Sequence, residues 1–158
     1  MTAMSAQLIQ DLKVFDQYGM PDVSNYTPAD FRLAITEQVR AGNTLLSEAL
    51  GEAGLSLYPD SEDVLSIVSL LAEIRQDWDS AEYLLKRLVE VQNELSPPTT
   101  WQHWIRVLRC NGKPHEAWMV LGKSLKLHPN DEALLMEAKS LQDWLGGSSL
   151  VAGTETRN

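Results

Sequence analysis

The chain has 158 residues, 44% of them apolar, with 13 Lys+Arg against 22 Asp+Glu and a single cysteine. The apolar share excludes wholesale disorder, and the formal charge of −9 argues against a general nucleic-acid binder, which needs cationic surface to displace counterions from phosphate. One cysteine, Cys110, excludes an internal disulfide framework and fits a reducing compartment.

The first helical signal is the stripe Met4, Leu8, Leu12 and Phe15, spaced four, four and three. Gln7, Gln10, Asp11 and Lys13 interrupt it, so it does not read as a secretory signal, and nowhere does an apolar run reach the ~18 residues of a membrane helix. A soluble, cytoplasmic protein is the expectation. Gly19 and Pro21 end this helix, and residues 1–27 form an N-terminal helix and loop. Thr27-Pro28-Ala29-Asp30 restarts the chain with a hydroxyl N-cap, proline in the first turn and an acid near the helix N-terminus. Phe31, Ala34, Ile35 and Val39 carry that helix to Gly42, and a second run covers 45–57. Further helices are expected over 62–74, 80–93, 99–109 and 115–127, with breaks at Arg75 to Asp79, at Ser96-Pro97-Pro98 and at Asn111-Gly112-Lys113-Pro114. Asp131 opens a last helix, which Gly146-Gly147 ends at Leu145, leaving 146–158 as a flexible tail. No segment alternates with period two, so no sheet is expected.

Helix pairs at even intervals call for a test of periodicity. Ala81 and Ala117 are 36 residues apart, while Gly42 and Gly112, and Pro59 and Pro129, are each 70 apart. A period of 34 with two extra residues at Ser96-Pro97 reproduces all three spacings. It places repeats at 28–61, 62–95 and 98–131, followed by a C-terminal capping helix at 131–145.

With this register the chain resembles the tetratricopeptide repeat family of helix–turn–helix units. In the third repeat Trp101 stands at the family's first aromatic, Gly112 in the turn, Ala117 at the small position of the second helix, Leu121 at its large one, and Pro129 at the close. The second repeat matches through Leu65, Val68, Ala72, Trp78, Ala81, Leu85 and Leu88. The first keeps Phe31, Ala34, Gly42 and Pro59, while Ser47, Gly51 and Gly54 weaken its second helix. One departure recurs: Ile35, Ser69 and Ile105 occupy the position where the family favours glycine, and a bulky Ile there should push paired helices apart. The resemblance covers about two thirds of the chain. It implies an all-α fold, a right-handed superhelix of antiparallel helix pairs with about seven to eight helices.

The resemblance also implies a non-catalytic protein-interaction module, a chaperone, adaptor or assembly factor, without cofactor or metal. Its concave groove would be lined by Arg32, Thr36, Val39 and Arg40; by Asp63, Ser66, Leu70, Glu73 and Ile74; and by Gln102, Arg106, Arg109 and Cys110. Met136, Ser140 and Trp144 of the cap would complete it. Four arginines there suit a peptide or helix with apolar anchors and some acidic groups; alternatively they pair with neighbours such as Glu37 or Asp63 on an ordinary solvated face. Clamping of a C-terminal carboxylate, known in co-chaperones of the family, is not expected, because of Arg32, Thr36, Ile67, Thr99 and His103 only Arg32 suits it. The N-terminal helix caps the repeats, lies in the groove or pairs with another protomer. Size and organisation are similar to small bacterial accessory proteins of specialised secretion systems, type III included. The alternative function is accordingly a structural subunit of a secretion or envelope-associated machine, self-associating through repeat faces into a homo-oligomer.

Other residue types offer little chemistry. Trp78, Trp101, Trp104 and Trp118 fall at packing positions or their flanks, whereas Trp144 lies off its helix's main stripe and is the expected exposed anchor. Leu134, Leu135, Ala138, Leu141 and Leu145 form that buried stripe, with Glu132, Glu137, Lys139 and Asp143 facing water. His103, His115 and His128 lack metal-ligand spacing, and Cys110 lacks the motif of a catalytic thiol.

Overall fold

The computed structural model describes residues 3–18 and 25–151. The described elements are α1 (Ala3–Tyr18), α2 (Pro28–Arg40), α3 (Thr44–Leu57), α4 (Glu62–Ile74), α5 (Trp78–Gln92), a 3-10 turn (Asn93–Leu95), α6 (Pro98–Cys110), α7 (Pro114–Leu127) and α8 (Glu132–Val151). None of the described residues lies in a strand, and no described helix is long and apolar enough to cross a membrane. The chain divides after Val91 into two compact units, the first holding α1 to α5 and the second α6 to α8.

The restart at Thr27 is a full capping box. The Asp30 N–H donates to the Thr27 hydroxyl oxygen at 3.3 Å, and the Thr27 N–H donates to Asp30 Oδ2 at 2.8 Å. Two orphan donors of the α2 N-terminus are thereby satisfied. Helix α5 starts at Trp78, two residues earlier than the sequence pattern suggests, because Asp77 supplies its cap by accepting the Ser80 N–H at 3.2 Å.

The turns inside the helix pairs share one geometry. Gly42, Gln76 and Gly112 all have positive φ, at 74°, 60° and 70°. The following residue then bonds back five positions: Asn43 N–H to Gln38 O, Asp77 N–H to Ala72 O, and Lys113 N–H to Leu108 O, at 2.8–2.9 Å. This is the Schellman closure, which satisfies carbonyls left over at a helix C-terminus. Gln76 adopts the left-handed conformation without glycine's freedom, at a cost of about 1–2 kcal/mol.

The second helices of the two end pairs also close alike. Tyr58 and His128, each just past a helix C-terminus, have φ/ψ of −132°/62° and −129°/65°. The Tyr58 hydroxyl donates to Tyr26 O at 2.6 Å, and His128 Nε2 bonds Ser96 O at 2.7 Å, in both cases 32 residues back. Two different side chains thus fasten the end of a pair to the residue ahead of its first helix.

Packing in unit 1 reverses the expected role of two glycines. Gly51 and Gly54 are buried, and a methyl group added at Gly54 would lie 3.3 Å from Val64 Cγ1 and 3.4 Å from the Phe31 ring. At Gly51 it would lie 3.3 Å from Leu71 Cδ1. Rather than merely weakening α3, these residues let its backbone approach α2 and α4, and Ser47 extends the same small face. The pair α2/α3 therefore carries its small residues on the second helix, while Ile35 on the first is fully buried.

Unit 2 brings further corrections. Helix α8 does not end at Leu145 but runs through Gly146-Gly147 to Val151. Each glycine costs a helix only about 1 kcal/mol, and no proline follows to stop it. Leu135 is exposed, since the inward stripe is Leu134 and Leu141. Trp118 is 43% exposed, because Ala117, Val120, Leu121 and Ser124 fill the inner face of α7. Trp101 is buried and stacks on Trp104 at 5.9 Å between ring centroids. The expected breaks at Gly19 and Pro21, and tail residues 152–158, lie outside the described residues.

Two stability outcomes follow. Gly122 is exposed on α7 with open space around it, so Gly122→Ala should raise the urea-unfolding free energy by about 0.5–1 kcal/mol, whereas Gly54→Leu should lower it by about 1–3 kcal/mol. Tyr58→Phe deletes one hydrogen bond onto a buried residue and should cost about 1 kcal/mol in the same measurement.

Candidate functional site

The residues expected to line a groove fall on α2, α4 and α6, the first helices of the pairs, and on α8, and in each unit a short ion pair ties two of these helices together. Arg32, Thr36 and Arg40 share one face of α2 by their spacing of four. Arg32 Nε meets Asp63 Oδ1, in the first turn of α4, at 2.7 Å. The Thr36 hydroxyl donates to Arg32 O at 2.7 Å, so it is engaged with its own helix. Arg40 is exposed in the last turn of α2, where its charge suits the helix dipole. On α4, Ser66 is exposed, Leu70 is half-buried and Ile74 is 64% exposed.

In unit 2, Arg109 meets Glu137 Oε2 of α8 at 2.7 Å. Glu137, expected to face water, is half-buried in that pair. Gln102 makes a long 3.4 Å contact to Asp131 Oδ1, an oxygen that also caps α8 by accepting the Leu134 N–H at 2.9 Å. Arg106 and Cys110 are exposed. Met136, Ser140 and Trp144 recur every four residues on α8, and Met136 and Trp144 are 73% and 52% exposed.

Electrostatically, Arg32 and Arg109 are each paired with a carboxylate on another helix of the same unit. The pairs are partly exposed, so each is worth about 0–1 kcal/mol. Large apolar side chains stand exposed in each unit: Ile74 on α4 in unit 1, and Met136 and Trp144 on α8 in unit 2. Among the described residues no group of three His, Cys, Asp or Glu is placed to hold a metal ion.

Sequence reasoning did not reach a cleft of about 460 Å³ in unit 1, formed by α3, α4 and α5. Leu55, Val68, Leu71 and Leu84 supply its apolar lining, and Glu48, Glu52, Arg75, Asp79 and Tyr83 supply its polar or amphipathic edge. Arg75 contacts Glu48 Oε1 at 3.3 Å. Only residue spacing within single helices is visible in a sequence, and this cleft needs three.

No protein-family model matches the chain, and no curated protein matches it in sequence. Solved structures do match. MamA AMB-1 aligns with a TM-score of 0.66 at 17% identity, over 97% of this chain and 92% of that one. MamA MSR-1 aligns with a TM-score of 0.65 at 18% identity, over 90% and 85%. A MamA mutant aligns at 0.63 and 20% identity, over 90% and 80%. The fold is of the tetratricopeptide type. At these identities the likeness concerns the helix pairs and their stacking, and the tetratricopeptide-type turn at Gln76-Asp77 is where local chemistry can be tested.

The Ser80 hydroxyl and N–H, which both bond the Asp77 carboxylate, hold it below the usual aspartate range, with a smaller contribution from Arg75 and with burial opposing. A depressed carboxyl contributes stability above its unfolded pKa and loses that contribution as pH falls through the folded value. Asp77→Asn should therefore flatten the acid limb of the stability–pH curve measured by urea unfolding, with the wild type losing more than the variant on acidification.

Proposed function

We propose that the chain is a non-catalytic protein-interaction module, an adaptor, chaperone or assembly factor of the small bacterial tetratricopeptide type. It binds a peptide or helix that carries apolar anchors and some acidic groups. The observation that carries this reading is the pattern on the first-helix faces. In unit 1, Arg32 is paired with Asp63 and the large apolar side chain of Ile74 on α4 stands exposed; in unit 2, Arg109 is paired with Glu137 and Met136 and Trp144 on α8 stand exposed. Trp and Arg are the residue types that most often dominate binding energy, and an exposed Trp gains most when a partner desolvates it. The tetratricopeptide-type fold supports the reading, because stacked helix pairs present extended faces for peptides and helices.

The test is comparative capture from native lysate with the wild type, with Trp144→Ala and with Arg106→Glu. A partner retained by the wild type and reduced roughly tenfold or more by Trp144→Ala supports the assignment. Retention unchanged by both variants overturns it.

A second reading, a structural subunit that self-associates through repeat faces, draws on Trp118 and Met119, which stand 43% and 65% exposed on α7. Light scattering over a range of concentrations separates the two. Under this reading the wild type is an oligomer and Trp118→Ser shifts it toward the monomer, whereas a wild type that stays monomeric removes the reading.

A further inference from the structure

The cleft of unit 1 differs in chemistry from the first-helix faces. Its interior is apolar and belongs to three helices: Leu55 on α3, Val68 and Leu71 on α4, and Leu84 on α5. Its volume of about 460 Å³ lies within the range of about 300–1,000 Å³ typical of preformed ligand pockets. The opening is acidic. Glu48, Glu52 and Asp79 line it together with Arg75, whose guanidinium contacts Glu48 at 3.3 Å and Asp77 at 4.0 Å. Glu52 and Tyr83 are exposed at the edge, with Tyr83 62% accessible. The glycine at position 51 is part of the construction. Its missing side chain lets α3 settle to within van der Waals contact of Val68 and Leu71, which line the cleft.

From this apolar interior with an acidic opening we infer a second interaction site, one that takes a basic amphipathic helix of a partner protein. An apolar side chain of that helix enters between α3 and α5, and a flanking Lys or Arg side chain meets Glu52. The charge logic is the reverse of that proposed for the first-helix faces, so this site stands whether or not that proposal holds. The chain's formal charge of −9 attracts a cationic helix to the protein as a whole, and the carboxylates at the opening favour docking there. An acidic helix is disfavoured by the same carboxylates, which gives the site its selectivity.

The test titrates the full-length protein with a synthetic amphipathic Leu/Lys helix and with the same helix carrying Glu in place of Lys, followed by calorimetry. The Leu/Lys helix should bind, and weaken as salt rises from about 50 to about 300 mM, while the Leu/Glu helix should not bind. Glu52→Lys and Tyr83→Lys, both at exposed positions and checked for unchanged circular dichroism, should each weaken binding roughly tenfold. Glu90→Lys makes the same charge change on an exposed part of α5 outside the cleft and should leave affinity within about twofold. The site is overturned by equal losses in Glu52→Lys and Glu90→Lys, which would mark a net-charge effect, or by no loss in either cleft variant. It is equally overturned if the Leu/Lys helix fails to bind. If arginine amide competes at the same concentration as the helix, the cleft binds a small cation and the helix assignment fails.

Discussion

Between α2 and α3, between α4 and α5, and between α6 and α7 the chain must reverse within three residues, and each time it does so through one residue of positive φ. That residue directs the next N–H back to a carbonyl five positions earlier, so the reversal satisfies polar groups that a helix end would otherwise leave unpaired. A helix pair closed in this way is still not stable alone, since its apolar face needs a neighbour. The buried residues of each unit follow from this requirement: Phe31, Leu50, Val64 and Leu85 in unit 1, and Ile105, Leu121 and Leu134 in unit 2. The exposed faces are what remains after stacking, and the candidate surfaces lie there.

Local signals carried much of this architecture. The capping box at Thr27 and Asp30, the glycines at 42 and 112, and the boundaries at Glu62 and Ile74 are all visible as short patterns, because their physics involves only neighbours in the chain. Gln76 shows the limit of such patterns. Its turn is legible from the flanking helices, yet nothing in glutamine itself announces a left-handed backbone. Gly51 and Gly54 show the opposite failure. Helix propensity marks them as weak points, while the neighbouring Phe31, Val64 and Leu71 give them a packing role. Gly146-Gly147 reads as a helix stop and is traversed by α8.

The interaction surfaces were partly legible for the same reason. A spacing of four places Arg32, Thr36 and Arg40 on one face of α2 and Met136, Ser140 and Trp144 on one face of α8 from the sequence alone. What spacing does not disclose is which charges meet. Arg109 and Glu137 lie 28 residues apart and Arg75 and Glu48 lie 27 apart, and their pairing depends on how helices stack. The acidic cleft was invisible for a stronger reason, since its walls come from three helices.

The tryptophans divide unevenly between the two units. Unit 1 carries Trp78, and unit 2 carries Trp101, Trp104, Trp118 and Trp144. In unit 2 the stacked indoles of Trp101 and Trp104, inclined by 27°, lie within range for excited-state coupling, and neither indole N–H has a hydrogen-bond partner among the described residues. The intrinsic emission and near-ultraviolet dichroism of the whole chain are therefore dominated by one half of it. An optical melting curve reports that half, and amide-based signals, which every helix shares, report both, so any difference between the two curves measures how independently the units unfold.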